Sequence, residues 1–289
     1  MTTVTANICG LGEAAAALIA QAVLTNPACL TVLSLAGNSL GLKGCVMLIE
    51  ALHSTSTQIS SLDIASNHIS FVHQHKLELI LDPSDVHTCD CCSLAGTQSV
   101  WRCELCNFDI CPSCFLATCP FQMVVKAISL PTLATLNVAG NGFVSSALLG
   151  EGHVAGMHQV VSTLKESGVK ELCWDSAQHT LMIQELLSSD EITLEYAPRG
   201  SGVLLIAGLV QQNDGVRKMR VMCSRPLCDC GNPDCGENGA SSESMQLNFD
   251  CNSIIPHYRD ISLGSAGFSM LAGILSKFHQ LTCECEADL

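Results

Sequence analysis

The stretch Leu30-Thr31-Val32-Leu33-Ser34-Leu35-Ala36-Gly37-Asn38-Ser39-Leu40 alternates apolar and small residues and ends on an asparagine set between turn formers. It recurs 29 residues later as Ile59-Ser60-Ser61-Leu62-Asp63-Ile64-Ala65-Ser66-Asn67-His68-Ile69. One step back, Met1, Val4, Ala6, Cys9 and Leu11 fall on the same template, with Cys9 standing for the asparagine. Downstream, Leu133, Leu136, Val138, Asn141 and Phe143 fit it, as do Leu247, Phe249, Asn252 and Ile254. Weaker copies begin at Val169 (Leu172, Trp174), Glu191 (Leu194, Tyr196) and Val216 (Met219, Val221), about eight copies together.

Each copy has a physical reading. The Leu-x-Leu alternation sends apolar side chains to one face of a short strand and leaves the intervening ones on an open face. The asparagine amide can bond backbone groups in the turn, where no ladder partner exists. An amphipathic helix then packs on the sheet, as residues Gly12–Val23, Gly44–Leu52 and Gly156–Leu164 predict. Open-face positions include Asp63, Glu171, Asp175, Glu195, Lys218, Arg220 and Asp250, and neighbouring strands should gather Glu171, Asp175 and Glu195 into one acidic cluster. Motif and period resemble the ribonuclease-inhibitor class of leucine-rich repeats. The resemblance covers residues 1–72 and 122–289 and implies an α/β solenoid: a curved parallel sheet with helices outside.

Residues 73–121 interrupt the third copy. Three C-x-x-C pairs stand here, Cys89/Cys92, Cys103/Cys106 and Cys111/Cys114, each able to place two thiolates on one tetrahedral zinc ion. A module this short cannot build an adequate core, so zinc would supply much of its folding free energy. Six cysteines are too few for two closed sites. The run His73–Leu79 offers one of the remaining two ligands and Cys119 the other. The residues Thr88–Cys92 and Trp101–Phe115 resemble ZZ-type and C1/DC1-type zinc fingers. Their interleaved ligation implies one site of Cys89, Cys92, Cys111 and Cys114, and another of Cys103, Cys106, His75 and Cys119, with His87 as an alternative ligand and His73 and Cys91 left over. The terminal His pair of a ZZ finger is missing, and the spacing from Cys106 to Cys111 is one residue short. In ZZ fingers that read protein N-termini, acidic residues hold the free amino group. The matching positions are Asp90, Asn107 and Asp109, which could equally bond the amides of their own turns.

Cys223, Cys228, Cys230 and Cys235 lie in a Gly/Pro/Asp-rich loop where the copy from Val216 should have its helix. They form either a third zinc site or a plain reduced loop. Gly37-Asn38-Ser39-Leu40-Gly41 matches the G-x-S-x-G nucleophile elbow, but Asn38 is the repeat asparagine and its partner segment at Asn67 lacks the serine and glycines, so no catalytic residue is expected.

Composition fits this reading. The chain is 48% hydrophobic and only 4% aromatic, so its core is aliphatic, as small stacked units require. A net charge of −14 argues against nucleic acid and for basic protein segments as partners. Nothing reads as a membrane span or a charged secretory leader, so the 19 cysteines are expected to be reduced and metal-binding in a cytoplasmic, or nuclear, setting. The expected role is a scaffold or adaptor that binds proteins and is not an enzyme. The alternatives are a GTPase-activating protein, because the activator of the nuclear-transport GTPase is built on this repeat class, and a degenerate structural repeat protein.

Overall fold

A computed structural model describes residues 2–26, 30–55, 57–70, 73, 77–81, 86–96, 99–144, 151–175, 177–194, 201–216 and 218–221 of the chain. Strands and helices alternate in a mixed α/β architecture. Strand β1 (Thr2–Thr5) leads to helix α1 (Glu13–Thr25), then β2 (Leu30–Ser34), α2 (Gly41–Ser54) and β3 (Ser61–Asp63). The interrupting segment contributes β4 (Glu78–Leu81), β5 (Ser99–Cys103), β6 (Phe108–Ile110) and α3 (Pro112–Ala117). The alternation resumes with α4 (Pro120–Ile128), β7 (Thr135–Asn137), α5 (Glu151–Glu166) and β8 (Glu171–Cys173). It ends with β9 (Leu181–Met182), α6 (Ile183–Ser188), β10 (Glu191–Leu194), α7 (Ser201–Gln211) and β11 (Lys218–Val221).

A six-stranded sheet runs in the order β1-β2-β3-β7-β8-β9, and its first five strands are parallel. The register pairs Val4 with Leu33, Leu33 with Leu62, Leu62 with Leu136 and Leu136 with Leu172. The same template position therefore forms one row across the sheet. Leu33, Leu62, Leu136 and Leu172 are each buried, and every such leucine contributes roughly 2 kcal/mol as an upper estimate from area removed from water.

The asparagines fasten one unit to the next. The amide of Asn38 donates to the carbonyls of Ala6 and Leu35, both at 2.8 Å, while its Oδ1 accepts the N–H groups of Cys9 and Leu11, both at 3.0 Å. Asn67 donates to Leu35 and Ala65 and accepts from Leu40. Asn141 donates to Ile64 and Val138 and accepts from Asn67 and Ile69. Buried turn backbone that lacks a strand partner is satisfied in this way. The turns themselves pass through left-handed conformations at matching places, Ile8, Gly37, Ser66 and Gly140.

Helices cover one side of the sheet. Gly44 permits the closest approach between α1 and α2, since a Cβ there would lie 2.9 Å from that of Ala16. Helix α4 opens with Pro120, whose fixed φ suits a first turn, and packs between α2 and α5. Phe121, Phe143 and Trp174 meet at the far end of the core, with the Trp174 indole N–H donating to Ser201 Oγ at 3.0 Å.

Beyond β8 the structure departs from the sequence expectation. Strand β9 runs antiparallel to β8, pairing Leu181 with Leu172, where the next parallel strand was expected. Neither of the turn asparagine's functions can be performed at the matching position, Ala177, which has no amide side chain to bridge a parallel neighbour. Strands β10 and β11, the copies from Glu191 and Val216, form a separate parallel pair. The copy at 247–254, with Asp250, lies outside the described residues. Among the described residues no helix is long and apolar enough to cross a membrane.

Candidate metal centres

The interrupting segment is a three-stranded antiparallel sheet, ordered β4-β5-β6, with the short helix α3 against it. Its apolar core is small: Leu77, Ile110 and Phe115 pack with Cys89, Cys103 and Cys111, and Trp101 stacks on Phe115 at 4.5 Å between ring centroids. So few apolar residues leave the segment short of stabilising burial.

The structure brings Cys89, Cys92, Cys111 and Cys114 together, with all four sulfurs within 4.8 Å of one another. The first pair sits in the turn after residue 88, and the second spans the junction between β6 and α3. The sulfurs of Cys92 and Cys111 are 3.8 Å apart, which is the edge length, about 3.8 Å, of a tetrahedron whose metal–sulfur bonds are about 2.3 Å. Backbone amides aim at the sulfurs: the N–H of Cys111 donates to Cys89 Sγ at 3.3 Å, and that of Cys114 to Cys111 Sγ at 3.4 Å. Burial alone would push the Cys89 thiol up, but amide donors from Cys111, Cys92 and Cys91 and the Cys92 thiol outweigh it and bring it down to about 6. Its neighbour Cys114 moves the opposite way, driven first by the Cys92 side chain and then by burial. Four clustered thiols cannot all ionise without a counter-charge, and a divalent cation supplies one. The residues fit a bound metal ion.

A second group comprises His73, Cys103 and Cys106, again within 4.8 Å. Nε2 of His73 lies 3.4 Å from Cys106 Sγ, and its ring stacks on Phe108 at 4.5 Å with an interplanar angle of 1°. The histidine left over in the sequence reading is thus the one placed beside this pair, held by an aromatic neighbour that spacing alone does not reveal. His75, expected here, lies outside the described residues. Cys119, the other expected ligand, is corrected: it is buried at the start of α4 among the residues of the main core, where burial pushes its thiol up. The chain direction explains this, because residue 119 already belongs to the helix that packs on the large sheet. Cys91 is exposed and belongs to neither group among the described residues.

Asp90, Asn107 and Asp109 do gather, but around a residue the sequence reading passed over. Arg102 donates to Asp109 Oδ2 at 3.0 Å and also contacts Asn107 Oδ1. Nδ1 of His87, the alternative ligand, lies 2.9 Å from Asp109 Oδ2 and 2.7 Å from Arg102 Nη1. The carboxylate of Asp90 accepts the N–H of Asp109 at 2.7 Å. Asp109 is only 6% exposed, so an incoming amino group would have to displace an arginine from a buried carboxylate. The packing favours the reading in which these acids hold their own turns. Arg102 pairs with Asp109 and Cys103 with Phe108 across the β5–β6 hairpin, and their symmetric placement about the turn at 104–107 is the signal that would have found it.

The acidic cluster expected on the open face is not assembled among the described residues. Glu171 accepts the Thr135 hydroxyl at 3.3 Å in the β7–β8 row, whereas the carboxylate of Asp175 lies against Gly202 at the start of α7. The antiparallel β9 separates β8 from β10, and Glu195 falls outside the described residues, as do Cys223, Cys228, Cys230 and Cys235. The side chains of Lys218 and Arg220 are likewise not described.

The chain is 24% identical over 287 residues to human NACHT, LRR and PYD domains-containing protein 5. That alignment takes in 90% of this chain but only 22% of the human protein, so the chain spans about a fifth of its relative's length. No model of a known protein family matches the chain, and no solved structure matches it.

Proposed function

We propose that this chain is a leucine-rich-repeat solenoid of the ribonuclease-inhibitor class, carrying an inserted finger that binds two zinc ions, and that it serves as a protein-binding scaffold without catalytic activity. The observation that carries the reading is the row of in-register leucines locked by Asn38, Asn67 and Asn141, with no helix among the described residues covering the opposite face of the five parallel strands. Such a face is an extended surface for a macromolecule and a poor pocket for a small one. The similarity to a human protein whose name includes LRR domains supports the same reading.

Cys89, Cys92, Cys111 and Cys114 would hold one zinc ion, and His73, Cys103 and Cys106 would hold the other with one further ligand. The ions would stabilise the finger's fold, and four thiolates leave no open position for a substrate. The partner surface would include Asp63 and Glu171 on the open face. With a net charge of −14, a Lys- or Arg-rich protein segment is the preferred ligand.

The test is direct binding of a purified partner, first obtained by affinity capture on the intact chain. Asp63→Lys with Glu171→Lys should weaken binding at least tenfold and flatten its salt dependence. Unchanged affinity would remove the open face as the binding site. A GTP-hydrolysis assay with a panel of small GTPases addresses the enzymatic alternative, and acceleration by the intact chain would replace the scaffold reading.

A further inference from the structure

The cysteines of the two metal groups alternate along the chain: Cys89 and Cys92, then Cys103 and Cys106, then Cys111 and Cys114. One hairpin therefore serves both groups. Cys103 closes β5 and Cys106 sits in the turn beyond it, while Cys111 follows directly on β6. Cys103 is buried in the same small core as Cys89 and Cys111. Closeness alone does not couple two sites, so the bonds that join them decide the matter.

A continuous run of hydrogen bonds crosses from one group to the other. It begins inside the first C-x-x-C turn, where Asp90 and Asp109 are joined twice. The N–H of Asp90 donates to the Asp109 carbonyl at 2.8 Å, and the N–H of Asp109 donates to the Asp90 carboxylate at 2.7 Å. The end of β6 is tied to the same turn by the Cys111 N–H, which donates to Cys89 Sγ. Asp109 next accepts Nη1 of Arg102 at 3.0 Å, and Nη2 of the same guanidinium donates to Asn107 Oδ1. Asn107 closes the second C-x-x-C turn, because its N–H donates to the Cys103 carbonyl at 2.9 Å. Its φ of 59° is the left-handed conformation on which that turn ends. A planar guanidinium suits this place, since its rigid fork serves two acceptors at once.

We infer that Arg102 couples the two metal centres, so that filling one raises the affinity of the other, with Asp90, Asp109 and Asn107 as the positioning residues that relay the effect. The inference rests on the two-ion reading above. Once the first C-x-x-C turn is held by its four sulfurs, Asp90 and Asp109 are fixed with it. Arg102 then holds the Asn107 turn in the shape that brings Cys103 and Cys106 together. Without that hold the second pair orders only against its own chain entropy. Coupling of this kind is reciprocal, so the second group strengthens the first by the same factor.

Competition of the intact chain with a zinc chelator, the bound ions being counted by native mass spectrometry, measures the first site with its four cysteines untouched. His73→Ala, which takes a ligand from the second group, should weaken the first ion at least fivefold without removing it, the lower end of ordinary site-to-site coupling at about fivefold. Asn107→Gly keeps the left-handed turn, which glycine adopts freely, and deletes only the contact with Arg102. In that background His73→Ala should have much less effect on the first ion, and Arg102→Gln should blunt it in the same way. An equal effect of His73→Ala in the parent and in Asn107→Gly overturns the inference, because shared packing would then carry the coupling. No effect in the parent overturns it as well, since the two sites would then be independent. A parent that holds fewer than two ions removes the two-ion reading, and the inference with it.

Discussion

Oδ1 of Asn141 accepts the backbone N–H of Asn67 at 2.8 Å across 74 residues of chain. About two thirds of the intervening residues, 73–121, belong to the inserted segment, yet the bond is the same kind that Asn38 makes to Cys9 across 29 residues. The finger leaves from the turn after β3, and the chain returns at α4 in time to complete the interrupted unit. Asn141 also accepts from Ile69 and donates to Ile64, so one amide ties the turn just before the departure point to the turn after β7.

Asn141→Leu should therefore destabilise the sheet more than its size suggests. The substitution strands the N–H groups of Asn67 and Ile69 and the carbonyls of Ile64 and Val138, at about 1 kcal/mol each. Chemical denaturation should show a loss on the order of 3 kcal/mol. A loss below about 0.5 kcal/mol would mean that water replaces the amide without cost.

The left-handed turn positions give a pair of substitutions with opposite signs. Ser66 has φ 52°, which costs a non-glycine residue roughly 1 kcal/mol, and Ser66→Gly should raise the melting temperature. Gly140 has φ 67°, and a Cβ there would strike the Ser66 hydroxyl. Gly140→Ala should lower the melting temperature by several degrees. In the Ser66→Gly background the penalty of Gly140→Ala should shrink, because the collision partner is gone.

Cys45 predicts a pH dependence. It is completely buried in α2, and desolvation raises its thiol from 9.0 to about 12. Because the folded value lies above the unfolded one, the unfolded chain gives up this proton first as pH rises. The contribution is fully present below pH 9 and is lost between pH 9 and about 12, at up to about 1.4 kcal/mol per unit. Comparing Cys45→Ala with the parent by denaturation at pH 8 and near pH 10.5 isolates this contribution. The variant should lose less stability over that interval, and equal losses would place the alkaline sensitivity elsewhere.

How much of this was legible in the sequence depended on whether a residue's partner stood at a fixed distance. Leu33 and Leu62 repeat an apolar position at 29 residues, and Leu136 matches the same template beyond the insertion, which placed all three in one row. The four cysteines of the first cluster come as two tight turns, so their own spacing preassembles each half. His73 and Arg102 carry no such mark. His73 is placed by stacking on Phe108, and Arg102 by the hairpin register that sets it opposite Asp109. The end of the regular sheet was equally hidden: the Leu172 and Trp174 positions fit the template, but nothing local says that β9 folds back antiparallel after them. The expected acidic cluster assumed that β10 follows β8 in one sheet, whereas β9 follows β8 there and Glu195 lies outside the described residues.

The metal centres can be tested apart from any partner. Native mass spectrometry of chelator-free protein should find at least two zinc ions per chain, because two ligand groups are already gathered. One ion or none would break the two-site reading, and His73→Ala should remove the second ion while leaving the first. Against the effect of burial, amide donors bring the Cys89 thiol down to about 6, which favours the thiolate that a metal ion needs. Protons compete with metal for the four sulfurs, so the first ion should be released as pH falls, at a pH set by its affinity. Cys89→Ser removes that thiolate and the acceptor for the Cys111 amide together. The finger should then lose the Trp101 fluorescence signature of its stacked core and become sensitive to protease. The large sheet should persist, because Asn141 spans the insertion without using any residue of the finger. Cooperative loss of both parts in Cys89→Ser would show instead that the finger's fold is needed to bring α4 back to the sheet.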